Sequence, residues 1–185
     1  MQTILMAEKT IVVALFLAAL IVVPTATADN IETKGICSKN PATKVGLWGG
    51  NEGIVKDISE APKRLESITI ISNYSIDSME FSYIDQTGQK RSAGRWGGPG
   101  GTAHKLDLGP TEIVKEVSGT YNMFEGEICL TSFKLVTNAR TWGPWAEEKG
   151  TRFSITAPTG TSIVGFFARG GTKYLAAIGV YFNKL

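Results

Sequence analysis

The sequence predicts an all-β domain in which three related units pack around a common axis. A Trp-Gly motif begins at Trp48, Trp96 and Trp142, at intervals of 48 and 46 residues. The 21 glycines and seven prolines punctuate short runs of branched and aromatic residues, and no segment keeps a helical period. A unit that recurs at this period cannot bury its apolar face alone, so three small sheets that share one core are expected.

Two N-terminal segments precede this domain. Residues 1–28 contain Lys9 and an apolar run at 11–23, followed by small residues. Thirteen apolar residues fall short of the roughly 20 that span a bilayer, so a cleaved secretory signal is favoured over a permanent anchor. Residues 29–43 are polar and form a predicted leader, and the domain covers 44–185. We therefore expect a secreted protein, extracellular or vacuolar, with no membrane span after cleavage.

The domain contains seven runs of strand-forming residues. They lie at residues 65–71, 78–83, 113–117, 129–136, 153–156, 163–167 and 177–182. Three of the strands are predicted to end in polar turns, at 72–77, 118–123 and 168–176. Each unit would thus offer one glycine loop beside its tryptophan and one turn at a strand end.

Composition and charge exclude several classes of function. Without residues 1–28 the chain has 18 basic and 16 acidic residues and no basic cluster, so nucleic acid is not an expected partner. His104 is the single histidine, so a Ser-His-Asp triad or a metal site must use it. It lies three residues before Asp107 in a strand-like segment, which puts the two side chains on opposite faces, and one histidine cannot build a typical zinc cluster. Adjacent acids such as Glu125 and Glu127 are more typical of solvated loops than of a glycosidase pair. We expect neither catalysis nor a bound metal.

Cys37 and Cys129 are the two cysteines of the chain. A secreted protein permits a disulfide between them. A buried free Cys129 beside an unpaired Cys37 is an equally good interpretation, and Cys37 could also link two chains.

Several motifs in the same order resemble the jacalin-related lectins, particularly their mannose-binding plant branch. The motifs are Gly46-Leu47-Trp48-Gly49-Gly50-Asn51, Trp96-Gly97-Gly98-Pro99-Gly100-Gly101-Thr102, Glu116-Val117-Ser118-Gly119-Thr120, Val164-Gly165-Phe166-Phe167-Ala168-Arg169 and Ala177-Ile178-Gly179-Val180-Tyr181. The resemblance covers about residues 44–184. It implies a β-prism of three four-stranded antiparallel sheets with pseudo-threefold symmetry, which binds glycans without metal, cofactor or catalysis and forms homo-oligomers.

The resemblance also implies a principal sugar site, and this chain departs from it. That site would combine Gly53 and its loop with the turn that holds Lys173 and Tyr174. Where the family has an aspartate, this chain has Ala176, and the turn is one residue longer. Only main-chain donors from Gly53, Lys173 and Tyr174 would remain, without the carboxylate that accepts from two sugar hydroxyls.

A second implied site keeps its acid. Asp77 would accept hydrogen bonds from two adjacent hydroxyls, and the main-chain N–H groups of Tyr74 and Ser75 would donate. The facing loop contributes Gly100 and Gly101. Asn73 opens this turn and also opens the sequon Asn73-Tyr74-Ser75, so a glycan on Asn73 would cover the turn.

The sequence therefore predicts a lectin for mannose- or glucose-type glycans and glycoproteins, with a role in plant defence or stress. The altered first site and the sequon on the second leave an alternative open. In that alternative the domain is a degenerate prism that binds a protein partner and little or no sugar.

Overall fold

The computed structural model describes residues 42–185, which form strands and loops. The strands are β1 (Thr43–Gly49), β2 (Ile54–Lys56), β3 (Pro62–Ser72), β4 (Ile76–Asp85), β5 (Lys90–Gly97), β6 (Thr102–Asp107), β7 (Val114–Phe124), β8 (Glu127–Thr137), β9 (Thr141–Ala146), β10 (Thr151–Thr156), β11 (Thr161–Gly170) and β12 (Leu175–Lys184). Within this range no helix has the length and apolar character needed to cross a membrane.

The twelve strands form three four-stranded antiparallel sheets with the same internal order. The first sheet is β1-β12-β11-β2, the second β5-β4-β3-β6 and the third β9-β8-β7-β10. In each sheet a central hairpin is flanked by the two strands that surround a glycine loop. The first and third sheets are joined through one residue pair, Ile163 and Val114. This is the predicted β-prism, and its first sheet unites the start and the end of the domain.

Aromatic side chains from all three sheets meet at the centre of the molecule. The Phe166 ring of the first sheet lies 5.3 Å from Phe81 of the second and 6.3 Å from Phe133 of the third, in edge-to-face geometry. All three are buried. Edge-to-face contacts add to the stabilisation that burial of these large rings provides. The three sheets therefore share one core, as the repeat predicts.

Strands β1 and β5 both end in the Trp-Gly motif, at Gly49 and Gly97. A glycine is needed there because it must fit against a neighbouring main chain. A β-carbon on Gly49 would lie 2.2 Å from the carbonyl oxygen of Ala176, and one on Gly97 would lie 2.3 Å from that of Asp77. Both distances are far below contact distance, so a side chain is excluded at these two positions. The glycine of the motif is therefore required for sheet packing in both sheets.

Several predictions differ from the structure and others fall outside it. The predicted turn at 168–176 is shorter, since residues 168–170 belong to β11 and 175–176 to β12. Residues 118–123, predicted as a turn, continue β7, since Gly119 and its neighbours pair with both β8 and β10. The first strand begins at Thr43, the last residue of the predicted leader. The predicted signal, Cys37 and the rest of the leader up to residue 41 lie outside the described residues.

Candidate functional site

Asp77 is the second residue of β4 and is largely buried, with 7% of its surface exposed. Its Oδ2 atom has no hydrogen-bond partner among residues 42–185. Most buried polar atoms have a partner, and an unpaired one costs about 1–3 kcal/mol. A carboxylate held in this way is a candidate for a group that accepts hydrogen bonds from a ligand.

The loop between β5 and β6 lies directly against this carboxylate. A β-carbon on Gly100 would lie 2.8 Å from Asp77 Oδ1, and one on Gly101 would lie 2.6 Å from Oδ2. Arg95 holds the loop, because its Nη2 donates to the Gly100 carbonyl oxygen at 3.3 Å and its Nε donates to Ser78 Oγ at 2.9 Å. Main chain without side chains can thus approach Asp77 closely.

Burial raises the pKa of Asp77 above its usual value. Main-chain N–H groups of the turn and the positive charge of Arg95 act in the opposite direction without cancelling that effect. Desolvation penalises the ionised form of an acid, and a ligand that donates hydrogen bonds would relieve part of the penalty.

The turn before Asp77 combines exposed residues, Asn73 and Tyr74, with Ser75, which is 1% exposed. The Asn73 N–H donates to the Ser75 carbonyl oxygen at 3.1 Å, and the side chains of Asn73 and Tyr74 are exposed, Tyr74 at 64%. The main-chain N–H groups of Tyr74 and Ser75 donate to no other group within residues 42–185. The Ser75 side chain is buried instead, with an unpaired Oγ. Two free main-chain donors therefore lie close in sequence to the buried carboxylate.

Asp77 lines a cavity of about 230 Å³ to which all three sheets contribute. Asp77, Pro99 and Gly100 come from the second sheet, Lys173 and Tyr174 from the turn between β11 and β12, and Glu125 from the tip of the β7–β8 hairpin. Sequence reasoning placed Lys173 and Tyr174 with Gly53 at the first site. The structure brings their side chains to the Asp77 cavity.

The first site has no acid at the position that corresponds to Asp77. The Gly50 N–H donates to the Ala176 carbonyl oxygen at 3.0 Å, just as the Gly98 N–H donates to that of Asp77 at 2.9 Å. Ala176 is therefore the structural counterpart of Asp77, and its methyl group, in a residue 5% exposed, can accept no hydrogen bond.

The turn beside Ala176 is one residue longer than its counterpart in the second sheet. Its closing hydrogen bond runs from Gly171 N–H to the Tyr174 carbonyl oxygen at 2.9 Å, three residues on, whereas that of Asn73 spans two. Gly53 packs against this turn, since a β-carbon there would lie 2.6 Å from the Gly170 carbonyl oxygen. The first site keeps its main-chain contacts and lacks an acceptor.

Glu125 is a residue of the cavity that sequence reasoning did not place there. It follows β7 with φ of +46° and forms a two-residue turn with Gly126. A short glycine-containing pair between two strand-like runs is a hairpin signal, and it could have indicated the true end of this strand. The assignment of a turn at 118–123 hid that signal.

The other predicted residues lie outside this site. Cys129 is a buried free thiol on β8, and burial raises its pKa to about 11. Since Cys37 lies outside the described residues, a disulfide between the two stays a prediction. His104 is exposed on β6. Residues 42–185 contain no group of three His, Cys, Asp or Glu side chains that could hold a metal ion.

A larger cavity of about 430 Å³ lies on the third sheet and is lined in part by Glu116, Lys134, Glu148 and Arg152. These side chains are half-buried or exposed, and the cavity has no buried carboxylate comparable to Asp77. Volume alone does not identify a site for polyhydroxylated ligands, which need fixed acceptors and donors. The Asp77 cavity is therefore the better candidate.

Three four-stranded sheets around one axis, with glycine loops and turns gathered at one end, define a β-prism of the carbohydrate-binding class. Residues 45–181 match the family model described as Jacalin-like lectin domain. The chain belongs to this family of lectins. Its members bind carbohydrates and are not enzymes, so this chain is a binding protein.

Relatives and solved structures agree with this assignment. Horcolin from Hordeum vulgare is 36% identical over 139 residues, which are 75% of this chain and 94% of horcolin. A mannose/glucose-specific lectin from Parkia pendula is 33% identical over 141 residues, 74% of this chain and 30% of that protein. The structure of AcmJRL, a mannose binding jacalin related lectin from Ananas comosus, has a TM-score of 0.73 and 36% identity, covering 78% of this chain and 99% of that one.

Proposed function

We propose that this protein is a metal-independent lectin that binds mannose- or glucose-type glycans at the Asp77 cavity. The observation that carries the proposal is the unpaired, buried Oδ2 of Asp77 beside a glycine loop. Two relatives in the same family are named for mannose or glucose recognition, which supports this class of sugar.

The residues of the cavity provide the hydrogen bonds that a hexose needs. Asp77 accepts from two neighbouring hydroxyls, because an ionised carboxylate has four lone-pair directions and forms short, charge-assisted bonds. The main-chain N–H groups of Tyr74 and Ser75 donate to sugar oxygens, and the Gly101 N–H contributes from the facing loop. Gly100 leaves room for the sugar ring to approach.

A single acid-bearing site implies weak monosaccharide binding and a need for multivalency. Ala176 removes the acceptor from the first site, so Gly53, Lys173 and Tyr174 offer only main-chain donors there. Several copies of the Asp77 site in a homo-oligomer would raise avidity toward glycoproteins without any new contact.

We also infer that the protein is secreted, extracellular or vacuolar, and acts in plant defence or stress. The apolar run at 11–23 and its small-residue flank support export. Asn73 is exposed, which leaves it accessible to a glycan, and such a glycan would lie on the turn that carries the two free donors. Glycosylation would then oppose sugar binding.

The alternative function is a protein-interaction module without sugar binding. Its support is the methyl group at Ala176 and the sequon on the remaining site. The two functions differ in what Asp77 does, because only the lectin needs its ionised carboxylate in an open cavity.

Calorimetric titration of methyl α-mannoside into the full chain tests the proposal, with protein made in bacteria, which attach no glycan to Asn73. We expect weak binding that is lost in Asp77→Ala and kept in Asp107→Ala, which removes an exposed aspartate on β6. If the folded protein gave no binding signal with mannose or glucose at millimolar concentration, the proposed lectin function would be refuted and the interaction module would be favoured.

A further inference from the structure

Arg95 is an exposed residue near the end of β5, and its guanidinium connects the two elements that flank Asp77. Its cross-strand neighbour on β4 is Glu80, yet its hydrogen bonds run to two residues beside Asp77. Its Nε donates to the hydroxyl of Ser78, the residue after Asp77, and its Nη2 donates to the Gly100 carbonyl oxygen in the glycine loop. One planar side chain therefore bridges the start of β4 and the loop that faces it.

The spacing that Arg95 bridges leaves little room for movement. Ser78 is buried and pairs with Gly97 in the sheet, so its hydroxyl is a fixed anchor for the guanidinium. The loop on the other side lies so close to the acid that a β-carbon on Gly100 would be 2.8 Å from Asp77 Oδ1. A shift of the loop away from β4 would change the distance between the carboxylate and the donors that face it.

The first sheet, whose site has no acid, also lacks both parts of this bridge. Leu47 precedes its Trp-Gly motif where the second sheet has Arg95. Ala177 pairs with the glycine of that motif where the second sheet has Ser78. Neither an alkyl side chain nor a methyl group can form these hydrogen bonds. The acid, the hydroxyl and the guanidinium thus occur together in one sheet and are replaced together by apolar groups in the other, which indicates that they serve one purpose.

We propose that Arg95 is a positioning residue of the sugar site, which holds the glycine loop at a fixed distance from Asp77 so that both can contact one sugar ring. This inference rests on the proposed function of the Asp77 cavity. The Gly101 N–H donates to a sugar held by Asp77 only while the loop keeps that distance. The cavity is lined by other residues, so Arg95 acts through Ser78 and Gly100 and does not touch the sugar.

The charge of Arg95 adds a second effect at the same site. Burial raises the pKa of Asp77, and the positive charge of Arg95 opposes that rise. This charge favours the ionised carboxylate, which is the form that accepts hydrogen bonds from two sugar hydroxyls. Without Arg95, Asp77 would stay protonated to a higher pH, and sugar binding would begin at a higher pH.

The other titratable and charged groups that face Asp77 come from the first and third sheets. They are Glu125, Lys173 and Tyr174, which line the cavity, and Cys129 on β8. Hydrogen bonds from Tyr174 and Lys173 lower the pKa of Glu125, whereas burial raises the pKa of Tyr174 to about 12 and that of Cys129 to about 11. In mildly acidic solution Glu125 therefore stays ionised and the other two stay neutral, so a change in sugar binding there reports on Asp77.

The test measures the affinity of the full unglycosylated chain for methyl α-mannoside by calorimetry, from neutral to mildly acidic pH. Arg95→Gln should weaken binding about tenfold at neutral pH and raise the pH of half-maximal binding by about half a unit. Arg95→Lys keeps the charge and loses the planar pair of donors. It should therefore keep the native pH of half-maximal binding, while its affinity falls about threefold or more.

Ser78→Ala distinguishes a positioning role from a general effect on stability. Because Arg95 acts through this hydroxyl, Ser78→Ala should weaken sugar binding about threefold in the native chain and change it less than about twofold in Arg95→Gln. Arg152→Gln is the matched control, since it removes an exposed arginine from β10, and it should bind sugar as the native chain does. Thermal melts of each variant check folding.

Three results would count against the inference, and a fourth would count against the site itself. An affinity of folded Arg95→Gln within about twofold of the native value at every pH would overturn the positioning role and leave the Asp77 site intact. Additive losses from Arg95→Gln and Ser78→Ala would also overturn it, because the guanidinium would not act through that hydroxyl. An unchanged pH of half-maximal binding in Arg95→Gln would contradict the effect of the charge. No binding of methyl α-mannoside by the native chain would refute the proposed function.

Discussion

Asp77 and Asp85 lie near opposite ends of the same strand and are both buried, yet their surroundings differ completely. Asp85, 2% exposed, accepts from the N–H and hydroxyl of Thr87, from the Gln89 N–H and from Arg91 Nε, at 2.6–2.9 Å. Asp77 has an unpaired oxygen. Hydrogen bonds, led by that of the Thr87 hydroxyl, lower the pKa of Asp85, whereas burial raises that of Asp77.

This difference separates an acid that holds the fold from an acid that is kept for a ligand. Another acid of the first kind lies in the loop between β6 and β7. Glu112 accepts from Arg140 Nε at 3.0 Å, from Arg140 Nη2 at 2.7 Å and from the Thr137 hydroxyl at 2.8 Å. A satisfied network stabilises one conformation, while an unsatisfied group reduces stability until a ligand pairs with it.

The largest effect expected is the loss of sugar binding in Asp77→Asn, by about 100-fold or more, because the amide replaces one acceptor oxygen by a donor. The free energy of unfolding at neutral pH should stay equal or rise, since the variant no longer buries an ionised, partly unpaired group. Calorimetric titration and urea unfolding measure the two properties. A clear loss of stability would mean that Asp77 serves the fold in the way Asp85 does.

The reverse pattern is expected for Asp85→Asn. Four hydrogen bonds to a carboxylate are weakened, so the melting temperature should fall by about 5–10 °C, while affinity for methyl α-mannoside stays within about twofold. Differential scanning calorimetry with a parallel titration checks both. Reduced sugar affinity in a folded variant would contradict the separation between the two ends of β4.

Lowering the pH should affect stability and sugar binding in different pH ranges, because the two kinds of carboxylate have pKa values shifted in opposite directions. The pKa of Glu112 is lowered to about 2, chiefly by Arg140, and that of Asp85 is also lowered, so the stability they provide is present above pH 5 and is lost as pH falls toward 2. Asp77 has a raised pKa, so protonation favours the folded state while it weakens sugar binding. Binding should therefore decline at a higher pH than stability.

Glu112→Gln checks that assignment. It should lower the free energy of unfolding at pH 7 by about 1–2 kcal/mol, a discounted value because the Arg140 side chain is 50% exposed. The difference from the native chain should shrink toward pH 2. A constant difference across the pH range would show that packing, not the ion pair, sets the effect.

The smallest effect is expected from Ala176→Asp, which places the acid of the second site at its counterpart in the first. The new carboxylate would be buried without a designed partner, so stability should fall by about 1–2 kcal/mol. The substitution should also create a second, weak sugar site, which would raise the binding stoichiometry toward two per chain. An unchanged stoichiometry would indicate that the longer turn, and not only the missing acid, disables the first site.

Local patterns predicted the repeat and the strand class, and the resemblance to the jacalin-related lectins implied Asp77 at one site and Ala176 at the other. Trp48 and Trp96 mark equivalent strand ends because short segments of the chain carry the same motif twice. Such patterns are local, so they can be recognised without knowledge of distant contacts. The predicted turn at 118–123 was wrong because β7 continues through Gly119 to a turn at Glu125. The length of this strand depends on its pairing with β8 and β10, which local patterns do not show.

By itself the sequence determined an all-β domain of three small sheets around one axis, since hydrophobic periodicity and glycine positions are properties of the chain, and its resemblance to the jacalin-related lectins implied one turn that keeps an acid. Only the tertiary structure decided that Asp77 Oδ2 is unpaired and that Lys173, Tyr174 and Glu125 face the same cavity. Those facts depend on how three sheets, whose tips are 48 or more residues apart in sequence, pack against one another. No local pattern encodes such a distance, because it results from the shared core.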